Sequence, residues 1–233
     1  MISLPIERTN ILGDNLAYVA LTDVMGDDRT PARTARTSYR NANKERSEEQ
    51  DAKLTKYLID HAHNTPVEFN QVRFYMKIPI LVARQLVRHR TVSINEVSYR
   101  YVTAEKEYYV PQLDRMQKKS ESNKQGSADE LVKNPAQCKA YIEHACDVAF
   151  DVYQKLLAEG LAPELARAVL PVNTYTEWYW QQNLHNFLHM AALRTDPHAQ
   201  WETRMVATAC LELAEQAFPS IVGAWREKQA RAK

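Results

Sequence analysis

The sequence predicts an α+β fold, and three observations carry that expectation. Val72, Phe74, Met76 and Ile78 alternate with Arg73, Tyr75 and Lys77, the period of two that marks a half-buried strand. Long stretches elsewhere place apolar residues three, four and seven apart, as at Tyr141, Ala145, Val148 and Val152, which is helical spacing. Strand-like segments are few against these helices, and no internal repeat or low-complexity tract interrupts them.

Ala17 to Val24 is apolar and partly β-branched and predicts a strand that ends at Gly26. Ser47-Glu48-Glu49-Gln50 is a capping-box pattern. It opens a helix expected to carry Leu54, Tyr57, Leu58 and His61 on one face. Pro79 after the alternating strand sits where a first helical turn would begin. The helix from about Ile80 would carry Arg84 and Arg88 four apart, where like charges repel unless an anion lies between them. An extended chain over 96–101 would turn Glu96, Ser98 and Arg100 to one side, and anchor itself with Val97, Tyr99 and Tyr101 on the other.

Residues 114–134 are rich in Lys, Ser, Asp and Gln and read as a mobile surface loop. A helix follows from about Ala136 to Glu159, with Tyr141, Ala145, Val148, Val152 and Leu156 expected inside and Gly160 as its C-cap. Pro163 starts a short helix that ends before Pro171. Val172 to Trp180 is aromatic and β-branched, a strand, and Asn183 to Arg194 a helix. Asp196-Pro197 reads as an N-cap followed by a proline at the first helical position, opening another helix with Val206, Cys210, Leu213 and Ala217 on its core side.

Composition narrows the function. With 233 residues, 45% of them hydrophobic, the chain is expected to form one domain over 1–233 with a full-sized core. A net charge of +1 argues against a general nucleic-acid binder. Cys138, Cys146 and Cys210 are an odd set without close pairs, so they read as small buried hydrophobes rather than disulfides. No secretory leader and no 18-residue apolar run is evident, so the expected compartment is the cytoplasm and no membrane contact is expected.

The chemistry concentrates in residues 88–101, where three arginines, a histidine, a glutamate, an asparagine and two serines share fourteen positions. With only five glycines and no G-x-G-x-x-G or Walker loop, a bound phosphate must be held by arginine side chains. Their planar forks can grip two oxygens at once. Arg84, Arg88, Arg90, Arg100, Arg167 and Arg194 are the candidates. His61-x-His63 and His185-x-x-x-His189 have spacings open to metal binding, but no carboxylate or cysteine pairs with them, so hydrogen bonding is the expected role. There is no G-x-S-x-G elbow and no Cys-His motif, which leaves Ser98 as a hydrogen-bonding group.

Arg88-His89-Arg90 followed by seven residues and Ser98 resembles the RHRxxxxxxxS signature of the flavin-dependent thymidylate synthases, extended here by Ser93, Asn95, Glu96, Arg100 and Tyr101. Other blocks resemble that family in order. They are Ala35-Arg36-Thr37-Ser38-Tyr39, His61-Ala62-His63-Asn64-Thr65-Pro66-Val67-Glu68, Ala166-Arg167 with Leu170-Pro171, and Leu193-Arg194 with Ala199-Gln200-Trp201-Glu202. The likeness spans about residues 17–218.

The resemblance implies long helices packed on a small, mostly antiparallel sheet. It implies methylation of dUMP to dTMP, with 5,10-methylenetetrahydrofolate as carbon donor and NADPH as reductant through FAD. It further implies a homotetramer with active sites shared between subunits, and no cysteine nucleophile. Gln85, Arg88, Glu96, Ser98, Arg100, Arg167 and Arg194 match dUMP-contacting positions, Arg194 being the catalytic one. Ser38, Thr65, Arg88, His89, Arg90, Asn95, Glu96, Asn183, His185 and His189 match positions at the flavin. His63 and Tyr101 match the side where folate and NADPH are handled. The chain departs from the pattern at Phe69, often histidine, and at His189, often asparagine. An imidazole at 189 would lose its acceptor on protonation, so flavin affinity is expected to depend on pH. Two other readings differ in class: an arginine-rich nucleic-acid binder, and a metal hydrolase using His61, His63, His185 and His189.

Overall fold

The computed structural model describes residues 3–40, 46–123 and 126–231. A five-stranded antiparallel sheet forms its centre, in the order β1 (Ile6–Arg8), β2 (Tyr18–Met25), β3 (Gln71–Pro79), β7 (Tyr175–Asn183), β4 (Ser93–Glu96). Helices α3 (Ile80–Leu86), α6 (Leu184–Arg194), α7 (Trp201–Ala217) and α8 (Pro219–Arg231) carry the residues that complete the core against it. Helices α1 (Thr30–Arg36) and α2 (Glu48–Asp60) lie to one side, with α2 against α8. The long α4 (Pro135–Ala158) packs with the short α5 (Pro163–Ala166). This is the expected α+β architecture.

The alternation in β3 is what builds the core. Val72, Phe74, Met76 and Ile78 are fully buried, and the β3–β7 register pairs Phe74 with Trp180 and Met76 with Trp178. The Phe74 ring lies 6.1 Å from Trp180 and 5.5 Å from Phe187 of α6. Every second residue on both strands therefore faces the same helices, as a period of two requires.

The capping box forms as read, with Ser47 accepting from the Gln50 amide and the Gln50 side chain from the Ser47 amide. Gly160 closes α4 with φ of +84°, and Asn183 caps α6 by accepting from the Asn186 amide at 2.9 Å. Cys146 and Cys210 are buried and Cys138 half-buried, all three free.

Several expectations are corrected. The buried residues of α2 are Asp51, Thr55, Leu58 and Ile59, while Tyr57 and His61 are exposed. Asp51 takes that place because Arg29 and Arg36 both pair with its carboxylate, which clamps α1 to α2. In α4 the buried residues are Cys146, Phe150 and Tyr153; Tyr141, Ala145, Val148 and Val152 lie outside. That helix carries two apolar stripes, and spacing cannot choose between them.

Pro79 is the N-cap of α3 rather than its first residue, and the helix ends at Leu86, so Arg88 is in the turn beyond it and shares no helical face with Arg84. The chain is extended only to Glu96. Tyr101 and Val102 then turn back to hydrogen-bond the Ser98 carbonyl, which leaves Tyr101 80% exposed, while Tyr99 anchors the segment by donating to the Tyr175 carbonyl.

Residues 114–134 are not an irregular loop: β5 (Gln117–Lys119) pairs with β6 (Ser127–Leu131) in a polar hairpin, with Lys124 and Gln125 outside the described residues. Asp196-Pro197 does not cap a helix. The Asp196 carboxylate accepts from the His198 amide at 2.8 Å in a local turn, and α7 begins at Trp201.

Candidate active site

Helices α3 and α6 start at opposite ends of the paired strands β3 and β7, and their last turns meet. At that meeting point Arg194 donates through Nε to His89 Nε2 at 3.1 Å and through Nη2 to the Gln85 carbonyl at 3.3 Å. A cleft of about 580 Å³ opens beside them, lined by Gln85, Leu193, Arg194, Asp196, His198 and Gln200 among others. Arginine has five N–H donors, so donors remain for a ligand after these two bonds.

Burial lowers the pKa of His89, and the nearby Arg194 charge and His189 lower it further. A neutral ring is also what the geometry requires, because Nε2 must accept from a guanidinium. Since the folded pKa lies below the ordinary value of 6.5, proton uptake opposes folding. The His89 contribution to stability is complete above about pH 6.5 and is lost as pH falls. Protonation would also cost Arg194 its partner. The KM for the cleft's ligand is therefore expected to rise on the acid side, and His89→Asn, which keeps an acceptor, should flatten that limb. A KM that stays constant in the wild type down to about pH 5 would contradict this role.

A second group lies at the end of β4 and on α5. The Glu96 carboxylate accepts from Thr176 at 2.6 Å, and Ser98 Oγ accepts from the Arg100 amide at 3.4 Å. Arg100 and Arg167 converge on Glu164, Arg100 at 3.6 Å from its carboxylate and Arg167 Nε donating to its carbonyl at 3.4 Å. Among the described residues no hydrogen bond or ion pair joins this group to Arg194, Gln85 or His89.

Between these residues in the sequence, Arg88 and Arg90 are exposed, and their side chains make no hydrogen bond or ion pair to other described residues. Asn95 is exposed on the edge strand β4. The segment after Arg90 is held by the buried Gln182 amide, which, oriented to satisfy both neighbours, donates to the Thr91 carbonyl at 3.3 Å and accepts from the Phe187 amide at 3.1 Å.

The third group follows α2. His63 stacks with His61 (6.5 Å between centroids) and with Tyr57 (6.1 Å), an exposed run of flat rings. Thr65 starts the 3-10 turn Thr65–Phe69 and Ser38 sits in the turn Thr37–Tyr39, both exposed. His185 and His189 follow on α6; burial lowers the His185 pKa, against the nearby Glu68 carboxylate. Asn183 is committed through its oxygen to capping α6, which leaves its amide nitrogen for a ligand. Among the described residues no three His, Cys, Asp or Glu come together as a metal site, so the four histidines are not drawn into one centre.

The spacing of residues did not reveal Glu164 or Thr176, which bond Arg100 and Glu96, nor Glu202, which lies behind the cleft. The Ala199-Gln200-Trp201-Glu202 block pointed at the last of these without giving it a role.

Comparison with known proteins identifies the family. Residues 20–220 match the family model described as thymidylate synthase complementing protein. A flavin-dependent thymidylate synthase of Ehrlichia ruminantium (strain Gardel) is 42% identical over 211 residues, 90% of this chain and 70% of that protein. One from Thermus thermophilus is 43% identical over 210 residues, covering 90% and 76%. A UMP/dUMP methylase of Streptomyces cacaoi solved with 5-Br dUMP superposes with a TM-score of 0.83 at 32% identity, over 90% of this chain and 94% of that one. The same methylase with 5-Br UMP gives 0.81 at 30% identity.

Proposed function

The chain belongs to the thymidylate synthase complementing protein family, and from that premise we propose how its residues methylate dUMP. It is a flavin-dependent thymidylate synthase. The observation that carries the residue assignment is the meeting of Arg194 and Gln85 at one cleft, with Arg194 held by His89, which Arg88 and Arg90 flank in the sequence.

Gln85, Arg88 and Arg194 form one wall of the dUMP site, and Glu96, Ser98, Arg100 and Arg167 the other. Uracil C5 becomes nucleophilic as negative charge builds on the ring. A fixed guanidinium stabilises that charge more than it stabilises the neutral base. Arg194 is held for this by two bonds, and no cysteine is needed: none of the three lines the cleft. Burial raises the thiol pKa of both Cys146 and Cys210, which keeps them as thiols.

The flavin is FAD. The donor set fits it: Arg88 and Arg90 suit a pyrophosphate, and the Tyr57–His61–His63 rings offer flat faces to an aromatic system. Ser38, Thr65, His89, Asn95, Glu96, Asn183, His185 and His189 would complete its binding, with His63 and Tyr101 on the folate and NADPH side. When bound, FAD supplies the redox chemistry that links NADPH to the carbon brought by 5,10-methylenetetrahydrofolate.

The assembly is a homotetramer of one-domain subunits with shared sites, working in the cytoplasm. Two observations support sharing. Among the described residues no hydrogen bond or ion pair joins the Arg194 and Arg100 groups, and α4 exposes Tyr141 (66%), Val148 (47%) and Val152 (37%) as an uncovered apolar stripe. No described helix is long and apolar enough to cross a membrane.

The structural neighbour's name covers UMP as well as dUMP, so substrate choice is the direct test. With the carbon donor, FAD and NADPH supplied, kcat/KM for dUMP should exceed that for UMP by about tenfold or more. Equal turnover of the two would make the chain a general uridylate methylase instead.

A further inference from the structure

The geometry points to Glu202 as a positioning residue that sets the polarity of Gln85 at the cleft, acting through Gln200. This rests on the assignment of Gln85 to the dUMP wall. Glu202 is 4% exposed at the start of α7. One carboxylate oxygen accepts from Tyr109 Oη at 3.2 Å and Arg115 Nε at 3.3 Å; the other accepts from Gln200 Nε2 at 2.9 Å. Gln200 Oε1 in turn accepts from Gln85 Nε2.

Amides can usually turn either end toward a neighbour, but an ionised carboxylate only accepts. Glu202 therefore obliges Gln200 to present its NH₂. Gln200 must then turn its oxygen to Gln85, and Gln85 must give its NH₂ to Gln200. The end of Gln85 without a partner among the described residues is its Oε1, an acceptor at a cleft that also holds a guanidinium. The cleft is thereby set to receive a ligand donor at Gln85, a hydroxyl or an imide N–H.

Glu202 itself is held from behind. The Arg115 guanidinium lies 5.0 Å over the Trp201 ring and also donates to Gln117 of β5. The hairpin at 117–131 is thus joined to the cleft wall by one continuous set of bonds, although it lines a separate cleft of about 500 Å³. Gln200 lines both clefts.

Glu202→Gln tests this with almost no change of shape: with its oxygen held by Tyr109 and Arg115, an amide at 202 turns its NH₂ to Gln200 and reverses the relay. On the FAD-loaded protein, KM for dUMP should rise about tenfold, with kcat changed less than about twofold and Tm and flavin content kept. The swap Gln200→Glu with Glu202→Gln should restore KM. A carboxylate at 200 accepts from both neighbours, and the oxygen of an amide at 202 still accepts from Tyr109 and Arg115. If the single variant does not fold, Gln200→Met breaks the same relay and should give the same rise in KM. Gln85→Ala is the reference. A raised KM there with an unchanged KM in Glu202→Gln overturns the relay and leaves the dUMP wall standing. An unchanged KM in both overturns the placement of Gln85 and the relay with it. A raised KM that the swap fails to restore shows that amide polarity is not the cause, and overturns the proposal.

Discussion

Replacing Arg194 with alanine is expected to lower kcat for dTMP formation by about 100- to 1000-fold, the usual cost of removing one preorganised donor from developing negative charge. The side chain is partly buried at the end of α6 and fixed by His89 and Gln85, so it needs little reorganisation as charge develops. The same substitution should leave flavin absorbance largely intact, because Arg194 is not itself among the residues assigned to FAD. Lysine at 194 keeps the charge but loses the planar fork and the paired bonds, so it should recover only part of the rate. Single-turnover dTMP formation with FAD already bound measures this. A wild-type rate in the alanine variant would remove Arg194 from the chemistry.

Phe74→Ala should cost about 3–5 kcal/mol of stability, the range for deleting a large buried ring. Phe74 is fully buried at the centre of the sheet, between Trp180 and Phe187. It joins β3, β7 and α6, the three elements that bring Gln85 and Arg194 together. Urea unfolding followed by tryptophan fluorescence would report the loss, since Trp180 packs on the deleted ring. A change below about 1 kcal/mol would mean that this core closes over the gap, against the packing density of protein interiors.

Much of this was legible in the residues because it is local. The alternation at Val72–Ile78 fixes which face of β3 is buried whatever lies against it. Ser47 with Gln50 and Gly160 mark helix ends by their own backbone chemistry. The Arg88-His89-Arg90 segment announced an anion site because no core could absorb so much charge.

What was not legible depends on distant partners. α4 has two apolar stripes, and only the fold decides that Phe150 and Tyr153 face inward. Asp51 is buried in α2 because arginines from α1 and the turn before it reach it from outside the helix. Asp196-Pro197 satisfies the local rules for a helix start, yet the Asp196 side chain closes a turn with His198 instead. The polar hairpin at 117–131 has no apolar alternation to declare it. In the site, Arg194, Gln85 and the RHR segment could be named from the family blocks. That Arg194 donates to His89, and that Glu202 stands behind Gln85 by way of Gln200, depends on helices more than 100 positions apart meeting in space.

The most direct test of the central claim is mass-spectrometric detection of dTMP in an anaerobic mixture of the FAD-loaded protein, dUMP, 5,10-methylenetetrahydrofolate and NADPH. The flavin bands are followed in the same cuvette. NADPH is expected to bleach the flavin, and dTMP to accumulate only when all four components are present. Failure to bind flavin, or dTMP formed at the same rate without FAD and NADPH, would contradict the claim.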